Sequence, residues 1–495
     1  MQEQVPLALS RFYAAISDLG SSAPEAHKFR DKTVALISSS SAISSRNARY
    51  ILLSSIRLLS RLCGQITVHL PEAALEAKSE CEALSELEGV EFFYESSSFC
   101  DYRKYDAVLC VENFDSEVNH EGTITFVGSY RWLAQISSKP IRLPQEDCDF
   151  NPIAAYGAAC IAVADVFKEL LQVKATRASK LDDLCFSFYS LSAGLDGGAS
   201  LKGTRASRML LIGAGAIGSA VAYILREMPL YGLLDIVDYQ KYGIENLATT
   251  IYLNRHDIGK SKSAVAANYA SNHLIAVGHE AKLEDWLRTN QSPLPIVLAA
   301  LDNIPARHFA QQSIWPDILI DGATGSFLSQ VIIHRWSATD PCLLCLFEEP
   351  VKSSDADQVA AVATGLSVTR ATQRHSNVTV DDVNAAPVAQ REWLKQRIGK
   401  EICSVIQEGI ASSISSESQP STFAPAAPFV AGLSACMMVA SLYRYLEAQA
   451  PEFNRFQFDA LIGPAAGQHY KEVPKPGCVC QTRRTNIEAF RNNQF

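Results

Sequence analysis

The chain has 495 residues, 47% of them hydrophobic and 20% charged, a globular profile with material for two or three domains of about 150 residues. Its net charge of −9 argues against non-specific attachment to nucleic acid or to an anionic membrane. Thirteen cysteines, odd in number and mostly irregular in spacing, exclude a disulfide scaffold and fit reduced thiols in a cytoplasmic protein with one or two special sites.

The opening MQEQVPLALSRFYAAISDLG has no basic stretch followed by an apolar one, so no secretory signal is expected. From there the sequence reads as two diverged copies of one unit. In the first copy a short buried strand at 33–37 runs into SSSSAISS; in the second, a strand at 209–212 runs into GAGAIGSA. YDAVLCVEN then matches PIVLAALDN, TITFVGSYRWLAQIS matches DILIDGATGSFLSQVI, and NPIAAYGAACIAVADVFKELL matches APFVAGLSACMMVASLYRYLE. The order is kept throughout, but the spacing opens before the last match, so the second copy carries an insertion between about 335 and 428. Short apolar strands alternating with helical stretches predict an α/β protein of two Rossmann-like, doubly wound domains, 1–178 and 179–495. The Gly/Ser-rich stretch 176–208 reads as the linker, and 411–428 as a second mobile surface segment. The uncharged run 418–443 imitates a membrane span, but Pro425 and Pro428 shorten its apolar helix, and a buried core helix is expected.

Gly213, Gly215 and Gly218 follow a strand and open a helix, where glycines let the backbone approach phosphate oxygens and the helix N-terminus favours an anion. Asp238 ends the next strand about 20 residues further on, where a carboxylate can accept both ribose hydroxyls. That much suits a dinucleotide oxidoreductase equally well. Asn246, Arg255 and Lys262 come next, polar groups with little use in a hydride pocket but suited to a triphosphate whose pyrophosphate leaves with extra charge. Asp302 follows the strand IVLAA at its carboxyl end, where it can hold Mg²⁺ against phosphates. Taken singly, Lys262 reads as a solvated helix residue, Asp302-Asn303 as a helix cap and Arg255 as a surface ion-pair partner. Their joint order after the glycine turn is what points to ATP.

Through LLIGAGAIGS, IVDYQKYGIENL, DIGKSK, ALDN…R, IDGATGSFLSQVIIHRW and DPCLLCLF, residues 203–350 resemble the ThiF/MoeB/HesA superfamily, the adenylating enzymes that activate ubiquitin and ubiquitin-like proteins. The resemblance implies that Asp238 binds ribose, that Asn246, Arg255 and Lys262 line the phosphates, and that Asp302 serves the metal and the acyl-phosphate centre. One departure is Thr249, which stands where the family has an arginine. The first copy lacks the glycines and the ribose acid, has Glu112 as the counterpart of Asp302, and is similar to the inactive half of eukaryotic activating enzymes. In that family an arginine near the start of the partner unit reaches the ATP, and Arg11 is the positional candidate; the plain alternative is a surface arginine on an amphipathic helix.

Cys342 and Cys345, with Cys478 and Cys480, supply four thiolates that fit a structural, tetrahedral Zn²⁺ clamping the tail to the body. The single residue between Cys478 and Cys480 departs from the family and strains a shared site, and buried reduced thiols are the alternative. Within the insertion, Cys403 is the candidate nucleophile for a thioester, with Arg397 and Lys400 near in sequence to favour its thiolate, whereas Cys436 lies in the apolar helix and reads as core. The partners implied are a ubiquitin-like protein, through its C-terminal tail, and a conjugating enzyme. The resemblance extends to bacterial ubiquitin-like conjugation systems, some of which act in antiphage defence. Pairing of the two copies in cis and a twofold homodimer both remain open, as do adenylation feeding a sulfur donor without a thioester, a dinucleotide oxidoreductase, and a scaffold that has lost catalysis with its arginine.

Overall fold

The computed structural model describes residues 31–38, 45–70, 75–85, 91–95, 102–112, 122–141, 143, 150–171, 180–290, 292–325, 327–347, 355–414 and 427–494. In the first copy, β1 (Thr33–Ser38), β2 (Gln65–His69), β3 (Glu91–Glu95), β4 (Ala107–Val111), β5 (Thr123–Tyr130), β6 (Leu133–Ser137), β7 (Leu184–Ser187) and β8 (Ser192–Ala193) form one sheet in the order 3-2-1-4-5-6-7-8. In the second, β9 (Thr204–Arg205) lies beside β11 (Leu230–Val237). The rest of that sheet is β10 (Met209–Ile212), β12 (Leu274–His279), β13 (Ile296–Ala299), β14 (Ile318–Gly325), β15 (Leu328–Arg335), β16 (Arg455–Asp459) and β17 (Gln468–Tyr470), in the order 12-11-10-13-14-15-16-17. These are one topology built twice. Parallel strands reverse their order at the β1/β4 and β10/β13 junctions, and antiparallel strands complete each sheet. A doubly wound sheet binds ligands at that reversal, outside the carboxyl ends of the strands.

Strands β1, β4, β10 and β13 are apolar runs buried almost throughout, as central parallel strands covered on both faces must be. The long helices Pro152–Leu171 and Pro428–Leu446 cover them together with Arg46–Leu59 and Ala216–Glu227. One continuous apolar core runs through these helices and both sheets, so the copies meet in cis. The helix Pro428–Leu446 is long and apolar enough to cross a membrane by length and composition, yet 83% of its most apolar window is buried inside the protein. An apolar residue at nearly every position, rather than on one stripe, marks such a core helix.

Two expectations need correction. Residues 184–193 are not a linker: Leu184, Phe186 and Phe188 turn inward as β7 and its continuation, so the first sheet extends past residue 178. The alternation of large apolar residues outweighs the surrounding serines and glycines. The second supposedly mobile segment begins inside the helix Ile402–Ile414, and 415–426 lie outside the described residues.

The insertion contains the helices Asp355–Thr364, Val368–Thr372, Val380–Ala385, Val388–Lys395 and Ile402–Ile414. They close over a small core of their own that includes Ala360, Leu366, Val383, Leu394, Val405 and Ile406. Cys342 and Cys345 belong instead to a separate cluster on the main body, with Trp315, Cys480 and Ile487.

Candidate active site

The glycine turn is dictated by space. Gly213 has φ +90°, and a Cβ there would lie 2.5 Å from the Ala300 carbonyl oxygen, while one on Gly218 would lie 2.0 Å from the carbonyl oxygen of Gly213 itself. Around Gly215, the cap of the helix Ala216–Glu227, nothing lies within 4 Å of the Cβ position. The turn is therefore tight on its protein side and open on the other, a cradle for a phosphate at a helix N-terminus.

Asp238 stands at the end of β11. Its carboxylate accepts from the Ala214 N–H at 2.8 Å and from the Gln240 N–H at 2.8 Å. Burial raises its pKa, Lys262 and the two backbone bonds oppose that shift, and Asp302 adds to it. Lys262 opens the helix Lys262–Ala270 and is buried. A bridge from Lys241 to Ser261 and the Lys262 N–H to the Gln240 carbonyl at 2.9 Å bring it to the Asp238 strand end. Its Nζ donates to Gln240 Oε1 at 2.6 Å. Asp302 is exposed and accepts from the side chain of Asn303 at 2.9 Å, while Asn303 caps the helix Ile304–Ser313 through the Ala306 N–H at 2.8 Å. Lys262 and Asp302 thus share the Asp238 end of the sheet.

Asn246 is buried and receives the Gly243 N–H at 2.9 Å, holding the turn Ile244–Asn246 closed. Arg255 stands exposed at the start of the turn Arg255–Asp257. Thr249 is buried, and its hydroxyl donates to the Asn246 carbonyl at 3.5 Å. Arg11 lies outside the described residues. In the first copy Leu70 takes the place of Asp238, because Ile37 pairs with His69 as Ile212 pairs with Val237. Strand register also puts Glu112 opposite Leu301 rather than Asp302: Cys110 pairs with Ile37 as Ala299 pairs with Ile212. Glu112 is buried, accepts from the Ser129 N–H at 3.1 Å, and is pushed up to about 7 by burial.

Sequence reasoning missed the roof of the site. His375 and Glu401, both from the insertion, reach the nucleotide loop. Glu401 accepts hydrogen bonds from the Tyr239 hydroxyl and the Gln240 amide. His375 Nδ1 lies 2.9 Å from the Tyr239 hydroxyl and 3.5 Å from Glu401, and its Nε2 meets Asn303. The hydrogen bond to Glu401 raises the His375 pKa against burial, with Asp302 adding to the rise. Glu401 is held low because the bonds from His375 and Tyr239 outweigh burial. Only contacts between distant segments reveal these residues, and no spacing in the sequence marks them. Arg307, the arginine of the ALDN…R match, is buried, pairs with Asp321 at 2.9 Å and holds the carbonyl of Leu301 beside Asp302.

Cys403 stands two residues past Glu401, half-buried, with its N–H on the Arg374 carbonyl at 2.9 Å. Arg397 and Lys400 both pair with Glu408, at 2.6 and 2.9 Å. Cys436 is fully buried in its helix, and burial raises its thiol well above the ordinary range.

The remaining cysteines converge. Cys342 Sγ lies 3.8 Å from Cys345 Sγ and 3.6 Å from Cys478 Sγ, and Cys345 Sγ lies 3.6 Å from Cys480 Sγ. A tetrahedron with Zn–S bonds of about 2.3 Å has edges of about 3.8 Å. The Cys-x-Cys pair, expected to strain the site, meets that geometry, because Cys478 caps the short helix Val479–Thr482 and Cys480 sits inside it.

A glycine cradle, a strand-end carboxylate and a neighbouring lysine at the reversal of a doubly wound sheet define a nucleotide-binding protein of Rossmann-like architecture. The ThiF family model matches residues 190–478, and the chain belongs to the ThiF family. It is similar to the NEDD8-activating enzyme E1 catalytic subunit of Dictyostelium discoideum, 30% identical over 166 residues, 29% of this chain and 37% of that one. It is also similar to the adenylyltransferase and sulfurtransferase MOCS3 of Caenorhabditis briggsae, 27% identical over 166 residues, 32% of this chain and 40% of that one. The matches thus span well under half of these relatives' own length. Among solved structures, E. coli MccB with ATP aligns over 55% of this chain and 65% of that one, at 13% identity and a TM-score of 0.34.

Proposed function

We propose that the protein adenylates the C-terminal carboxylate of a ubiquitin-like protein with ATP and then takes it onto Cys403 as a thioester for a conjugating enzyme. The observation that carries this reading is the gathering of Lys262 and Asp302 around Asp238, beside the open face of the glycine turn. In this reading Asp238 holds the ribose, and the Gly215 turn and Lys262 hold the phosphates. The partner's carboxylate attacks the α-phosphorus, the bond to the bridging oxygen breaks, and pyrophosphate leaves with its charge met by fixed donors. Asp302, exposed at the same edge, fits Mg²⁺, which would neutralise phosphate charge. The Cys403 thiolate then attacks the acyl carbon and AMP departs.

Two features support the thioester arm. Cys403 follows Glu401, whose carboxylate reaches the nucleotide loop, and the relatives include an E1 catalytic subunit. The likeness to MOCS3 supports a second reading, in which the adenylate passes to a sulfur donor and Cys403 is idle. The four-cysteine cluster fits a structural Zn²⁺ in both. Incubation with a candidate ubiquitin-like protein and ATP decides between them. Pyrophosphate exchange together with a thiol-sensitive adduct lost in Cys403→Ala is expected. Exchange without such an adduct favours sulfur transfer, and the absence of exchange, with binding of NAD(P)H, overturns both.

A further inference from the structure

We propose that Arg61, from the degenerate first copy, is a positioning residue for the nucleotide site of the second copy, an inference that rests on the adenylation reading. Arg61 is 1% exposed, and the Glu80 carboxylate, which favours its charge from a distance, pairs with Arg57 rather than with it. Its charge is held by oxygen dipoles instead. Nε donates to the Thr250 carbonyl at 3.1 Å and one terminal nitrogen to the Leu253 carbonyl at 3.1 Å. The other terminal nitrogen stays at home, on Ser60 Oγ at 3.1 Å and the Arg57 carbonyl. Arg57 in turn donates to the carbonyl of Ile251 at 3.4 Å. Two arginines of the first copy thus take three carbonyls of one four-residue stretch, 250–253.

That stretch joins Asn246 to Arg255. The Thr250 N–H donates to the Asn246 carbonyl at 3.0 Å. The Tyr252 hydroxyl lies 3.3 Å from that of Tyr242, which donates to the Ala214 carbonyl of the glycine turn at 3.0 Å. Burial, with Arg57 beside it, pulls the Arg61 pKa down to about 9, so the side chain stays charged at neutral pH and needs those carbonyls. A buried cation and the loop that solvates it fix each other's position. The first copy, without a ribose acid of its own, acts here by setting the loop that lines its neighbour's phosphates.

The test uses the full chain with Arg61→Met, Arg61→Lys, Asn246→Ala and the Arg61→Met/Asn246→Ala double variant. ATP affinity by equilibrium titration and pyrophosphate exchange are read beside the thermal midpoint. ATP affinity or exchange is expected to fall at least about tenfold in folded Arg61→Met. Arg61→Lys should recover part of that loss, and the double variant should lose much less than the product of the single losses. Should Arg61→Met not fold, Arg61→Lys carries the comparison. Wild-type ATP handling in a folded Arg61 variant, or losses that simply multiply, overturns the inference while leaving adenylation intact. A wild-type chain that binds no ATP overturns both.

Discussion

The Glu401 carboxylate accepts a hydrogen bond from the side-chain amide of Gln240, whose oxygen accepts from Lys262. Through Gln240 the insertion is linked to the lysine expected to hold phosphate. Its docking depends on charge at both Glu401 and His375, and the pH window follows from their opposite shifts. Glu401 is held low, so its contribution is present above the ordinary glutamate value and is lost as pH falls through the depressed pKa. His375 is held high, so its contribution is full below the ordinary histidine value and is lost as pH rises through the elevated one. Docking is tightest between about pH 4.3 and 6.5 and loosens on the alkaline side. Amide exchange of the helix Ile402–Ile414 should accelerate as pH climbs beyond the intrinsic trend, and Glu401→Gln should flatten that excess.

Lys262→Ala removes the buried ammonium beside Asp238 and should lower pyrophosphate exchange by about 10²- to 10³-fold with a smaller effect on ATP affinity. Gln240→Ala, which frees Lys262 from its present acceptor, should leave exchange within about threefold of wild type. Single-turnover exchange at saturating ATP separates the two. Equal losses in both variants would mean that Lys262 acts only through Gln240.

Much of this site is legible without coordinates, for reasons of local geometry. The turn from Gly213 to Gly218 is forced within six residues, and Asp238 and Asp302 sit where parallel strands end, so short-range pattern suffices for all three. The four cysteines were also legible, since thiol chemistry limits what two close pairs can do together. What escaped depends on packing between distant segments. His375 and Glu401 are ordinary polar residues on an insertion whose docking no periodicity predicts. Arg61 looks like a solvent-facing arginine at a helix end until the second copy covers it. Phe186 and Phe188 were hidden in a Ser/Gly-rich stretch whose alternation matters only once β6 lies beside it.

The cysteine cluster fastens the C-terminal segment, whose helix Arg484–Gln494 is also held by Arg491 on the Pro316 carbonyl at 2.7 Å. Cys478→Ser should abolish binding of about one zinc per chain, read by metal analysis of protein purified without chelator. Exchange protection in the helix should fall while the β10–β13 core stays protected. Retention of both metal and protection would show that the thiols merely pack.

Arg307 and Asp321 form a buried pair whose arginine also holds the Leu301 and Gly322 carbonyls. Asp321→Asn keeps the shape but strands a cation, and should destabilise the fold by about 3–5 kcal/mol in denaturant. Arg307→Met should cost a similar amount and also impair exchange, because Leu301 precedes Asp302. A loss of stability in both variants with normal exchange in the folded fraction would confine the pair to architecture.

Cys403 is the sharpest divide between the two chemistries open to a ThiF protein. Arg397 and Lys400, the cations nearest Cys403 in sequence, are both paired with Glu408. The Gln407 amide donates to Cys403 Sγ at 3.7 Å, the Cys403 N–H donates to the Arg374 carbonyl, and the Glu401–His375 contact lies, at Glu401, two residues away in sequence from Cys403. An acyl-adenylate is reactive enough that proximity to a thiol can carry the transfer. Cys403→Ser should therefore trap the cargo as an ester that resists thiol reductant, and Cys403→Ala should lose the adduct while keeping pyrophosphate exchange within about threefold of wild type. His375→Ala should slow adduct formation more than exchange, because it loosens the contact of the insertion, which carries Cys403, with Tyr239 and Asn303. An adduct that forms at the wild-type rate in Cys403→Ala would assign the nucleophile to another cysteine.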